Sequence, residues 1–305
     1  MRARFEEVFE QREAALDFSD IEGVHAMRVA TRRLRSALRD FLPPMKKRPL
    51  KDALKNLKEI ADALGAVRDL DVAMLALENL QDTAEIDQTA GQIKEGIKII
   101  REELCNERET AQADLTKTLN ADSFIKLRED FTLSLDKALR KNKQSRVVSF
   151  NEPGHKAVAA SLDELCNLGE SLYDPFRVKK LHEMRIAAKS LRYAVELFTA
   201  CRSSRVTPFA AEIARMQSLL GEIHDDDVWL KNLGERLSDK KNTAAKQNEL
   251  PAAVWLMSKF INNRTKNYCS ALELWGKWEA TAFTERMRAV VTQNASANNN
   301  DSVKL

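Results

Sequence analysis

The chain has 305 residues, with 49 Lys and Arg against 46 Asp and Glu, a formal net charge of +3, and a 44% hydrophobic content sufficient for an ordinary core. Nothing resembles a run of about 18 apolar residues, and the polar, acidic start Met1-Arg2-Ala3-Arg4-Phe5-Glu6-Glu7 does not suit a signal peptide. A membrane span and secretion are therefore not expected, and the small number of glycines (9) and prolines (7) points to an all-α protein.

Periodicity predicts a short amphipathic helix over 4–17, then a basic helix that Ser19 or Asp20 can cap. Within Val24 to Phe41, His25, Arg28, Arg32, Arg35 and Arg39 fall in an arc of roughly 80°, opposite Met27, Ala30, Leu34, Leu38 and Phe41. Like charges at this spacing repel by a few tenths of a kcal/mol per pair, and from Arg28 to Lys51 nine basic residues, Arg33 among them, face the single acid Asp40. A polyanionic ligand explains such a stripe better than a solvated face, which mixes both signs. Pro43-Pro44 ends the helix, and the next, Leu50 to Leu64, places Lys51, Lys55 and Lys58 on one side. Gly65 reads as a helix stop, with Asp69 or Asp71 starting another. These acids are expected to cap and to orient nearby arginines, with a metal site as the alternative.

Residues 83–141 read as charged helical scaffold, broken at Gly91, Gly96 and 120–123, with Ser123 as a cap. A composition change ending in Pro153-Gly154 marks a linker, so the predicted divisions are 1–142, a linker 143–154, 155–292 and a disordered tail 293–305. His155 reads as a surface or capping residue. A second basic helix is expected over 176–200, helices over 209–220 and 225–237, a polar loop over 238–250, and helices over 251–265 and 267–292. Trp255, Phe260, Tyr268, Trp275 and Trp278 read as core anchors rather than a stacking platform for bases. Cys105, Cys166, Cys201 and Cys269, with no Cys-x-x-Cys pair, read as small buried apolar residues in a reducing compartment.

Two landmarks recur. Leu181 to Phe198 repeats the basic helix with His182, Arg185, Lys189 and Arg192 in register, 157 residues after His25. Leu64-Gly65-Ala66-Val67-Arg68-Asp69-Leu70-Asp71-Val72 returns as Leu220-Gly221-Glu222-Ile223-His224-Asp225-Asp226-Asp227-Val228, 156 residues on. Order and distance are both kept, which indicates duplication of a unit of about 150 residues. At that offset Lys51, Lys55 and Lys58 become Thr207, Ala211 and Ala214, so the two halves are not equally basic.

The pattern His-x-x-Arg-x-x-x-Arg-Arg-Leu-Arg followed by Leu-Gly-x-x-Arg-Asp-x-Asp-Val, present twice over residues 5–290, closely resembles the CHAD domain, the conserved histidine α-helical domain. The resemblance implies two pseudo-symmetric helical bundles around a basic central groove that binds inorganic polyphosphate, without catalysis and without a cofactor. The residues it implies for binding are His25, Arg28, Arg32, Arg33, Arg35, Arg39, Lys51, Lys55, Lys58, His182, Arg185, Lys189 and Arg192. Asp69, Asp71, Asp225 and Asp227 are the orienting or capping acids. Both stripes are expected to serve one polymer. The expected location is the cytoplasm, with polyphosphate granules as a place where such a binder gathers.

Two other readings make different demands. A metal-dependent phosphohydrolase would need His182, His224 and Asp225 to converge on one ion, yet the first repeat has Arg68 in place of His224. Nucleic acid is expected as a weaker competitor, because a basic groove does not by itself reject its phosphates.

Overall fold

In the computed structural model, residues 2–41, 50–81, 90–140, 151–199, 207–238 and 243–297 are described. They are helical, with no strand among them, as expected for an all-α chain. Eleven α-helices are described: α1 (Arg2–Glu10), α2 (Arg12–Leu16), α3 (Ile21–Phe41), α4 (Lys51–Gln81), α5 (Ala90–Thr118), α6 (Ala121–Arg140), α7 (Asn151–Asn167), α8 (Val178–Thr199), α9 (Thr207–Ser238), α10 (Thr243–Ala280) and α11 (Phe283–Ala297). A short 3-10 helix, Gly169–Tyr173, precedes α8. The chain divides into two units, one of residues 1–146 with 241–253, the other of residues 147–240 with 254–305.

In the first unit, α3 buries Val24, Met27, Ala30, Leu34 and Leu38, the face opposite its basic stripe. They join Leu57, Ile60, Leu64 and Val67 of α4, Phe5 and Val8 of α1, and Phe124, Leu127, Phe131 and Leu135 of α6 in one core. Phe5 stacks on Phe131 at 3.7 Å, so the first helix is held by the sixth. Gly23 allows α3 to cross α2 closely: a Cβ there would stand 1.9 Å from the carbonyl oxygen of Ala14.

The second unit follows the same element order. Leu181, Met184, Ala187, Ala188 and Leu191 of α8 pack with Phe209, Ile213, Met216, Leu220 and Ile223 of α9, and with Ala271, Leu274, Trp275 and Trp278 of α10. Trp278 stacks on Phe283 at 4.2 Å. Matching devices enter both basic helices: the Asp17 carboxylate accepts the Ser19 amide, and the Asp174 carboxylate accepts the Phe176 amide, each at 3.1 Å.

Several sequence expectations are corrected. Residues 4–17 form two helices, α1 and α2, rather than one. Gly65 and Gly221 do not stop helices; α4 and α9 run straight through them, so Asp69, Asp71, Asp225 and Asp227 lie in helix interiors and cap nothing. Gly91 and Gly96 are likewise inside α5. Asn120, not Ser123, accepts the amides that open α6. The expected break between 265 and 267 does not exist, because α10 is continuous and carries Pro251 inside it. Helix α7 begins at Asn151, within the expected linker, and α11 continues to Ala297, within the expected disordered tail.

Trp275, Trp278 and Phe260 are buried as expected, while Trp255 is half-buried under the Lys259 ammonium. Cys269 is exposed and Cys105 and Cys166 are half-buried, so these three are not the buried apolar residues expected, though all three are free thiols. Cys201, Pro43-Pro44 and the side chains of Arg39, Asp40, Phe41 and His155 lie outside the described residues, as does the tail beyond 297.

Candidate functional site

A 21-residue amphipathic helix fixes the stripe of the first unit, because burying Met27, Leu34 and Leu38 turns the other face outward. His25, Arg28, Arg32 and Arg35 are half-buried along it. One Arg28 Nη1 donates to Asp69 Oδ1 at 2.7 Å and to the Gly65 carbonyl at 3.2 Å, which anchors the guanidinium against α4. Gly65 thus lies where Arg28 meets α4, not at a helix end. Arg33 points elsewhere, pairing with Glu7 of α1 at 3.5 Å. Lys51, Lys55 and Lys58 are exposed on α4, Lys55 beside Glu59 at 3.7 Å.

Arg68 stands near His25 and contributes to its electrostatic field, a pairing not expected from sequence. Burial first, then the charges of Arg68, Arg32 and Arg28, holds the His25 imidazole below its ordinary value, against an upward pull from Glu22. Arg68 Nη1 is buried and has no hydrogen-bond partner among the described residues. A buried, unpartnered guanidinium N–H beside a half-buried imidazole is a donor set lacking an acceptor.

The second unit repeats the plan with different chemistry. His182, Arg185, Lys189 and Arg192 are half-buried along α8. His224, at the position of Arg68, brings its Nδ1 to 3.1 Å from His182 Nδ1, with ring centroids 4.2 Å apart. Between two facing ring nitrogens only one proton can be shared, so the pair holds at least one neutral imidazole. Burial, then Arg185 and Lys189, keeps His182 below its ordinary value, with Glu183 opposing. Arg192 lies over the Tyr193 ring at 5.2 Å and pairs with Glu196 at 3.4 Å.

The four acids expected to orient or cap meet different partners. Asp71, whose side chain is 1% exposed, accepts from Arg108 Nε at 2.6 Å. Asp227 accepts from Arg264 Nε at 2.6 Å in the equivalent place. Each pair ties the helix that backs a stripe to the helix behind it. Asp69 holds Arg28 directly, and both it and Asp225 are exposed on their helices. Asp226, absent from the expected site, is buried and accepts from Asn263 Nδ2 at 2.9 Å.

Arg68 and His224 were legible in principle. Reading α4 and α9 as continuous through Gly65 and Gly221 puts each one three residues past the glycine, on the same face of its helix. The metal alternative gains the convergence of His182 and His224 that it required. Among the described residues, no group of three or more His, Cys, Asp or Glu is placed to hold an ion.

The profile of the CHAD domain matches residues 1–234. The chain belongs to the CHAD family. It is 28% identical over 212 residues to the uncharacterized protein Rv2226 of Mycobacterium tuberculosis, a match covering 68% of this chain and 39% of that protein. The chain thus spans about two-fifths of the curated relative it matches. Its fold is similar to the crystal structure of the CHAD domain from the plant Ricinus communis, with a TM-score of 0.68, 20% identity and coverage of 90% of this chain and 88% of that one. It is also similar to PptA from Streptomyces chartreusis, with a TM-score of 0.64, 14% identity and coverage of 90% and 96%. At these identities the likeness to the two solved structures speaks for architecture alone.

Proposed function

We propose that this CHAD protein binds inorganic polyphosphate along the basic faces of α3 and α8 and does not hydrolyse it. The observation that carries the reading is the arrangement of His25, Arg28, Arg32 and Arg68, in which a buried guanidinium N–H lacks an acceptor. Arginine forks match phosphate oxygens, and each charge-assisted hydrogen bond contributes about 1.5–3 kcal/mol where water is partly excluded. Asp69 and Asp71 brace the arrangement without neutralising it, since Asp71 is engaged by Arg108 and Asp69 reaches only the Arg28 end.

Calorimetric titration with polyphosphate tests this. Replacing Arg28 and Arg32 together by Ala should weaken binding by about 100-fold or more, at roughly 1.5 kcal/mol or more per lost contact. Helicity should be unchanged, because neither side chain belongs to the core. Unaltered affinity in that double variant would sink the reading. Incubation with polyphosphate and Mg²⁺ or Mn²⁺ tests the second clause: release of orthophosphate that His224→Ala abolishes would favour the metal-dependent alternative.

A further inference from the structure

The connection entering α8 carries a feature that polyphosphate, which has no rings, cannot use. Phe176 is 89% exposed, flanked by Tyr173 at 62% and Val178 at 43%. Exposed large aromatics on a tethered loop are uncommon, and this loop is tied at several points. Asp174 accepts the Phe176 amide and pairs with Arg177. Arg264 donates to the Pro175 carbonyl at 2.8 Å, Tyr173 reaches Glu279, and the Tyr268 hydroxyl donates to the Leu172 carbonyl. The ring is presented by a stiff support.

The equivalent connection of the first unit is built differently. There Phe18 packs against the core, and Asp20 and Glu22 stand where Arg177 and Lys179 stand in the second unit. The second connection has therefore exchanged acids for bases, and it carries the exposed Phe176 where the first has Ser19. Its place in the fold is also fixed. Arg264, which holds Pro175, also holds Asp227, one helical turn along α9 from His224, and His224 meets His182. The exposed ring thus stands at the histidine end of the α8 stripe. Lys179, three residues before His182, extends the cationic row to it.

We infer that the second unit binds single-stranded nucleic acid, with an unpaired base stacked on Phe176 and the adjoining phosphates on Lys179, His182, Arg185 and Lys189. A cationic track combined with an exposed aromatic is how single strands are held without sequence preference, and a stacked base contributes about 1–3 kcal/mol. A duplex hides its base faces and gains nothing from the ring. The inference rests on the anion-binding reading of α8, and it adds a second ligand class that the ring distinguishes from a bare phosphate chain.

The test compares two polyanions of equal charge on the full chain: an oligothymidylate of about 12 nucleotides, within the usual site sizes, and its abasic counterpart. Fluorescence anisotropy should show the oligothymidylate binding roughly tenfold more tightly, the worth of about one stacked base. Phe176→Ala should remove that difference, Phe176→Trp should keep it, and neither should alter affinity for the abasic strand or for polyphosphate. Equal affinity for the two strands in the unaltered protein overturns the inference, as does a difference that survives Phe176→Ala. Anionic vesicles that bind the unaltered protein but not Phe176→Ala, with no base effect, would also overturn it in favour of a membrane surface. Failure of polyphosphate itself to bind would sink the earlier proposal while leaving the base effect measurable.

Discussion

Asp226 is 4% exposed on α9, hydrogen-bonded to the Asn263 amide, and burial pushes its carboxyl up to about 6, with Glu222, Asp225 and Asp227 adding to the rise against the amide's pull. A folded-state value above the unfolded one means the folded chain prefers the protonated acid, so this residue's contribution to stability is present at low pH and is lost as pH rises from about 4 through about 6. At pH 7 the charged, buried form costs on the order of 2–3 kcal/mol. Asp226→Asn should therefore stabilise the second unit by about that amount at pH 7 and by little at pH 4, which urea denaturation at the two pH values measures. The histidines have the opposite sign. His25 and His182 are held below the ordinary imidazole value, so their contribution to stability is present above about 6.5 and lost as pH falls below it. Anion binding reverses that preference by favouring the imidazolium. Affinity for polyphosphate should rise as pH falls from 7.5 to 5.5, with proton uptake visible as a buffer-dependent heat, and His25→Ala together with His182→Ala should flatten the pH profile. The shared helix face of His25, Arg28, Arg32 and Arg35 was legible in sequence because the helical period alone places them together. Asp226 was not, since three consecutive acids point in three directions around a helix and only packing selects the one turned inward.

The two long helices α4 and α9 show how an element can overrule its local signals. Glycine costs about 1 kcal/mol relative to alanine inside a helix, and sequence alone makes Gly65 and Gly221 look like stops. Burial of Leu57, Ile60, Leu64 and Val67 on both sides of Gly65 outweighs that cost several times over, at about 1.5–3 kcal/mol per large buried side chain. A Cβ at Gly65 would meet its nearest neighbour, Arg28 Nη1, at an ordinary 3.7 Å, and one at Gly221 would meet nothing within 4 Å. Gly221→Ala should therefore raise stability by about 0.5–1 kcal/mol, and Gly65→Ala should be neutral or mildly stabilising. Gly23→Ala should destabilise by about 2 kcal/mol or more, because its Cβ would overlap backbone that cannot move aside. Thermal melts of the three variants check the set; marked destabilisation by Gly221→Ala would mean that α9 breaks there. The helix faces were readable from periodicity. The continuity of α4, α9 and α10 was not, because it depends on partners distant in sequence, as Arg108 for Asp71 and Arg264 for Asp227.

At the scale of the whole chain, each unit has its own core and its own basic helix, and the two helices are joined by covalent continuity. A polymer long enough to engage both stripes gains from effective concentration, so affinity for long polyphosphate should exceed that for short chains by about 100-fold or more. Log K should fall by roughly 0.7 per neutralised phosphate as log salt rises. Arg185→Ala with Lys189→Ala should flatten the length dependence and the salt slope as much as Arg28→Ala with Arg32→Ala does; a length dependence that survives either pair would show that a single stripe serves the polymer. The all-α class was legible in sequence, because few glycines and prolines interrupt the helical patterning. The division between units was not, because residues 241–253 group with the first unit after residues 147–240 of the second have intervened.

That discontinuity bears on synthesis. The first unit gains its last segment only when residue 253 has left the ribosome, long after residue 146 has emerged. At about 5–20 residues per second, the interval from residue 146 to residue 241 lasts roughly 5–20 seconds. Until then the first unit exists without the helix segment that completes it, while the second unit is still being made. A nascent chain halted near residue 240 should be more easily cut by protease within residues 2–140 than one halted well beyond 253, so the order in which the helices are made sets when the first unit is complete.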